Sequence, residues 1–180
     1  IWSFHHIVMD GWCLSLMTKE VFGSYFAIRG NKQPELGDIT PYSNYIEWLE
    51  NQDEDKASDY WSEYLSGYNQ QTLLPKGKMS NKPEGYSASQ FTHQLGKELT
   101  GRLHQIAKQT QVTINTLVQA AWGVTLQKYN DSQDVVFGSV VSGRPTEIPG
   151  IENIIGLFIN TGTVRIRCTK EESFADVMIR

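Results

Sequence analysis

Apolar positions along the chain fall into alternating rhythms. From Trp12 to about Arg29, Leu14, Met17, Val21, Tyr25 and Ile28 recur at helical spacing and stop at Gly30, a residue suited to ending a helix. Pro41 fits a first helical position, and Tyr42, Tyr45, Ile46 and Leu49 then mark one face. Ala57, Tyr60, Trp61, Tyr64 and Leu65 predict a third helix over 55–66, and Leu99, Leu103 and Ile106 another over 98–110. The segment 113–129 is apolar around much of its circumference, which predicts burial on most sides. Residues 1–9, with Trp2 and Phe4 alternating around Ser3, read as a strand. So do 87–95 and 164–168. Asp134–Val141 reads as a strand buried on both faces. A short apolar segment, 151–159, precedes the last strand, and a helix begins near Glu171. Strands alternating with helices imply α/β layering.

Between 70 and 89 the rhythm dissolves into Gln, Lys, Gly, Pro, Ser and Asn. This predicts a boundary: residues 1–74, a linker over 75–86, and residues 87–180. The chain opens inside an apolar run and stops inside a helical pattern, so both ends read as cuts through structure.

Composition narrows the classes. Apolar residues make up 39% and charged residues 20% of 180, a globular balance. Sixteen basic against twenty acidic residues, with no basic run, argue against nucleic acid as a partner. No stretch of about 18 apolar residues suggests a membrane span. Cys13 and Cys168 lie far apart and outside any metal-ligand spacing; each is expected to pack as a small apolar side chain in a reducing compartment. His93 and His104 read as exposed, and Trp48, Trp61 and Trp122 as packing residues.

The richest chemistry stands in His5-His6-Ile7-Val8-Met9-Asp10-Gly11. On a strand the two imidazoles point to opposite faces, so they cannot serve one site, which argues against a shared metal. A single imidazole at the turn can take a proton near neutral pH and return it. Asp10 can cap the following helix, fix the turn or neutralise an arginine. Gly11 lets a ligand approach the backbone closely.

This string, followed by Trp12, resembles the H-H-x-x-x-D-G signature of condensation domains from non-ribosomal peptide synthetases. Three further segments keep the family's order: the tyrosine-rich stretch 41–49, the strand and turn from Asp134 through Ser142-Gly143-Arg144-Pro145, and Ile155-Gly156-Leu157-Phe158-Ile159-Asn160-Thr161. The resemblance implies an α/β, chloramphenicol acetyltransferase-like fold of two subdomains, each a sheet flanked by helices, truncated here at both ends. The active site would lie in a tunnel between them. It implies amide formation between a donor and an acceptor on peptidyl carrier domains, with an adenylation domain in the same cytoplasmic polypeptide. No cofactor is bound directly; phosphopantetheine arrives on the carriers.

Carried over by motif, His6 is the catalytic histidine, acting as general base or by positioning the amine. His5 and Asp10 support the motif, and Gly11 is the close-approach position. Ser142, Arg144, Asn160 and Thr161 carry over only as motif members near the tunnel or subdomain interface. Keeping both histidines separates the chain from heterocyclising relatives, the residues after Gly11 separate it from epimerisation domains, and Met9 resembles domains taking an L-configured donor. Gly162-Thr163 departs from the family pattern. The arginine that pairs with Asp10 is expected before residue 1, so the piece alone is expected to be inactive and poorly folded. Two other readings stand beside this one: a stand-alone acyltransferase of the same superfamily, and a condensation-like module kept only for docking partners.

Overall fold

A computed structural model of the chain describes residues 1–74, 88–169 and 171–180. The linker expected over 75–86 lies outside the described residues. Among the described residues, six helices and two strands follow in order: α1 (Gly11–Arg29), α2 (Ser43–Glu50), α3 (Glu54–Tyr64), α4 (Lys97–Gln109), α5 (Ile114–Asn130), β1 (Asp134–Val141), β2 (Asn160–Arg167) and α6 (Phe174–Ile179). All six helices occur where the apolar rhythm predicts them. Their starts follow local chemistry: Asp10 accepts from Trp12 N–H, Thr113 from Thr116 N–H, and Ser173 forms a reciprocal capping box with Asp176. Tyr42, rather than Pro41, stands at the α2 boundary.

The strand predictions divide. The first expected strand is instead a one-turn 3-10 helix, His6–Val8, because the His5 imidazole accepts from Ile7 N–H and bends the chain. Residues 88–95 hold no regular element. β1 and β2 do form and pair as a two-stranded sheet. Cys168 N–H donates to Gln133 C=O beside the start of β1, and Gly162 lies beside Ser139, so the pair is antiparallel. β1 is not buried on both faces: only Val135 is fully enclosed, while Val140 and Val141 are exposed. α5 is likewise half-covered, with Val118, Trp122 and Tyr129 exposed.

Packing groups the chain into two compact units, Ile1–Tyr64 with Ser139–Gly162, and Leu65–Gly138 with Thr163–Arg180. Each unit therefore takes segments from both sides of the 75–86 linker. In the first, Tyr45, Ile148, Ile151, Ile154 and Phe158 form the core, flanked by Tyr42 and Trp48. Full burial of a side chain such as Phe158 contributes about 1.5–3 kcal/mol. α1 meets this unit mainly through its first turn, where Cys13 is its one buried residue; Val21, Tyr25 and Ile28, expected inward, are exposed. In the second unit, Ala107, Leu117, Ala120, Val177 and Met178 form the core. Gly123 of α5 receives Ile166 of β2 there, since an added Cβ would stand 2.4 Å from Ile166 Cγ1.

Candidate functional site

The first unit contains every residue that the sequence marks as functional. His5 and His6 are exposed in the turn before α1, and Asp10, four residues after His6, is buried. The two histidines are set apart by the 3-10 turn rather than by strand alternation. His5 holds that turn through its Nδ1, which requires this nitrogen to be an unprotonated acceptor. Among the described residues no hydrogen bond fixes the His6 imidazole, so the ring is free to meet a substrate.

Asp10 anchors the turn. Its Oδ1 accepts from Trp12 N–H at 3.1 Å, and its Oδ2 accepts from Phe158 and Ile159 N–H at 3.0 and 3.2 Å. One carboxylate thus caps α1 and holds a segment almost 150 residues away. Burial alone pushes its pKa up. The hydrogen bonds from Phe158 and Ile159, with the Cys13 thiol and the Arg144 charge, outweigh burial and hold the carboxyl below the ordinary aspartate value.

Arg144 is the partner of Asp10, with Nη2 and Oδ1 3.7 Å apart and the two side chains 5% and 4% exposed. This corrects the expectation that the pairing arginine lies before residue 1. It also removes the reason given for a poorly folded piece, because the buried charge is balanced within the chain. Arg144 Nη1 donates to the carbonyls of Ile151 and Ile154 at 2.5 and 3.0 Å. Its guanidinium carbon stands 3.9 Å from the Phe158 ring centre and 5.4 Å from that of Trp12. Its buried Nε has no hydrogen-bond partner among the described residues.

Sequence reasoning missed two residues beside the motif. Trp12 Nε1 donates to Glu152 C=O at 2.9 Å. Cys13, expected to pack as an apolar side chain, is free and fully buried, and its sulfur lies among polar groups. Their place directly after Gly11 was the available signal. The glycines of the other motifs are explained by space. At Gly143, with φ +62°, a Cβ would stand 1.9 Å from Phe158 O, and at Gly156 one would stand 2.0 Å from the Tyr42 ring. Tyr42 donates its hydroxyl to Leu157 C=O at 2.7 Å; burial, then Tyr45 and Asp10, push its pKa up.

At Gly11 an added Cβ would meet nothing within 4 Å, so no intramolecular packing demands glycine there. Ser142 is exposed just after β1. Asn160 and Thr161 are exposed at the start of β2, where Asn160 Oδ1 accepts from Thr161 N–H at 2.7 Å. None of these three side chains is hydrogen-bonded to the Asp10 cluster among the described residues. A cleft of about 920 Å³ opens in the same unit along α1, with Leu16 and Tyr42 in its walls; neither His6 nor Asp10 lines it. Among the described residues no group of three or more His, Cys, Asp or Glu gathers to hold a metal. No described helix is long and apolar enough to cross a membrane.

Solved structures share this architecture. The first condensation domain of the CDA synthetase aligns with a TM-score of 0.71 and 21% identity, covering 97% of this chain and 39% of that one. The epimerization domain from the third module of tyrocidine synthetase B aligns at 0.75 with 17% identity, covering 97% and 40%. The fold is the chloramphenicol acetyltransferase-like α/β class, and fold alone does not separate the reactions run on it.

The family follows from sequence. The condensation domain family matches residues 1–180, and the chain belongs to it. A mycosubtilin synthase of Bacillus subtilis is 53% identical over 178 residues. That alignment covers 99% of this chain but 7% of the relative, so the chain spans a small part of the large synthase it resembles.

Proposed function

We propose that this chain carries the His motif of an amide-forming condensation site in a non-ribosomal peptide synthetase. The donor would be an aminoacyl or peptidyl thioester on one carrier domain, and the acceptor an aminoacyl thioester on another. An adenylation domain of the same cytoplasmic polypeptide would supply the building blocks. The acceptor's α-amine attacks the donor carbonyl; the C–N bond forms, the C–S bond breaks, and the amine proton ends on the released carrier thiol. His6 accepts that proton, or holds the amine by a hydrogen bond as it attacks. Ser142, Asn160 and Thr161 are assigned to the surrounding substrate passage, and Met9 to an L-configured donor.

The observation that carries this reading is the exposed His6 imidazole, set four residues before a carboxylate that is buried and fixed on both sides. The reactive group is free while its base is rigid, as a group that meets two large substrates requires. The test loads both carriers of the full-length polypeptide and follows dipeptide formation. His6→Ala should slow it by about 100-fold or more, the range of general acid–base assistance. Unchanged turnover would remove His6 from the chemistry.

A further inference from the structure

The geometry points to Cys13 as a positioning residue: its thiol is the spacer through which Asp10, Arg144 and Gly156 are held, and it thereby sets where the His6 turn stands. The inference rests on the reading of His6 as the reacting group.

Asp10 and Arg144 are 3.7 Å apart, too far for a direct hydrogen bond. Cys13 Sγ stands 3.5 Å from Asp10 Oδ1 and 3.5 Å from Arg144 Nη2. It also lies 3.3 Å from Gly156 O and 3.4 Å from Gly156 N. A thiol has one proton, so it donates to either Asp10 or the Gly156 carbonyl, and its lone pairs accept from Gly156 N–H and Arg144. The side chain is wholly buried, so water does not replace these contacts. Gly156 in turn cannot move toward Tyr42, whose ring occupies the place of its Cβ. The thiol is therefore wedged between the first turn of α1 and a segment fixed from the other side. The 3-10 turn bearing His6 runs directly into that first turn. A change in the wedge is passed to His6 through the backbone from Val8 to Asp10.

A residue that acts this way alters the chemical step and leaves substrate binding alone, because it touches no substrate. In the full-length polypeptide with both carriers loaded, Cys13→Ala should lower kcat about tenfold, as expected for losing one hydrogen bond to a charged group. KM for either carrier should stay within about twofold. Cys13→Ser keeps one donor and two acceptor positions and should restore kcat to within about threefold of the parent. Equal losses in the alanine and serine variants, or full kcat in Cys13→Ala, would overturn the assignment. So would a loss confined to KM.

A second readout needs no turnover. Cys13 is one of the groups that hold the Asp10 carboxyl low, so its removal should start the acid-side fall in melting temperature at a higher pH. Cys13→Ser should follow the parent curve. Superimposable curves for Cys13→Ala and the parent would also overturn it. If the parent forms no dipeptide, or His6→Ala forms it at the parent rate, the reading of His6 fails instead, and the melting curves still decide whether the thiol holds Asp10.

Discussion

Two aspartate–arginine pairs, one in each packing unit, use charge in opposite ways. Arg165 of β2 grips Asp134 of β1 directly, with contacts of 2.5–3.2 Å that span both carboxylate oxygens. It also donates to Ser66 C=O at 2.9 Å. This is a fork closed on a carboxylate, and it ties neighbouring strands. Asp10 and Arg144 stand farther apart, and each gives its hydrogen bonds to backbone groups in a segment with little regular structure. Asp10 serves N–H groups, Arg144 serves carbonyls, and a thiol fills the gap. The tighter pair fastens two strands; the looser one organises the loops around a reactive turn. Distance between the ions is therefore a poor guide to consequence.

The largest expected difference between the pairs is in stability. Asp10→Ala leaves a buried guanidinium unbalanced and three N–H groups without their acceptor, a loss of about 3–5 kcal/mol. Asp134 is 23% exposed, so water can reach the space that Asp134→Ala opens, and about 1–3 kcal/mol is expected. Urea unfolding followed by tryptophan fluorescence measures both; equal losses would erase the contrast.

Acid sharpens the contrast next. The Asp10 carboxyl is depressed in the folded chain, so its contribution is fully present above the unfolded value of about 3.9 and is lost as pH falls through the folded value. Melting temperature should therefore drop on the acid side of that value. Asp10→Asn should flatten the drop. A variant curve parallel to the parent would place the acid sensitivity elsewhere.

The smallest expected effect is at Gly11. Because a Cβ there meets open space, Gly11→Ala should change stability by no more than about 1 kcal/mol. Dipeptide formation measured on the same variant separates two roles. A large fall at unchanged stability marks Gly11 as the place where a substrate nears the backbone, and unchanged turnover makes it a plain helix start.

Helices are legible in the sequence because their apolar residues repeat over many turns, and Asp10, Thr113 and Ser173 announce their starts. The opening segment misleads because Trp2-Ser3-Phe4 alternates like a strand, while a single contact from His5 to Ile7 decides the local bend. Periodicity overstates burial on β1 and α1, where an apolar face says that something covers it but not what. At the site, the motif marks Asp10 and Gly11 correctly as a helix start, and His6 as the free imidazole. The partner of Asp10 is not legible: Arg144 lies 134 positions away, and no local spacing joins the two. Cys13 reads by its average behaviour as an apolar residue, whereas the polar groups around it come from a distant loop.

Gln127 of α5 has a consequence beyond its own helix. Its carboxamide donates to Gln133 O and Ile166 O at 2.8 and 3.1 Å, clasping one carbonyl near the start of β1 and one near the end of β2. Side chains on a strand alternate, so sliding β2 by a single position would swing Ile166 out of the notch at Gly123 and present its neighbours instead. The helix thus acts as a ruler laid across both strands: only one alignment satisfies the amide and the notch together. A one-residue insertion in β2 is penalised twice, which makes this hairpin a poor place for length variation and a good landmark for aligning distant homologues.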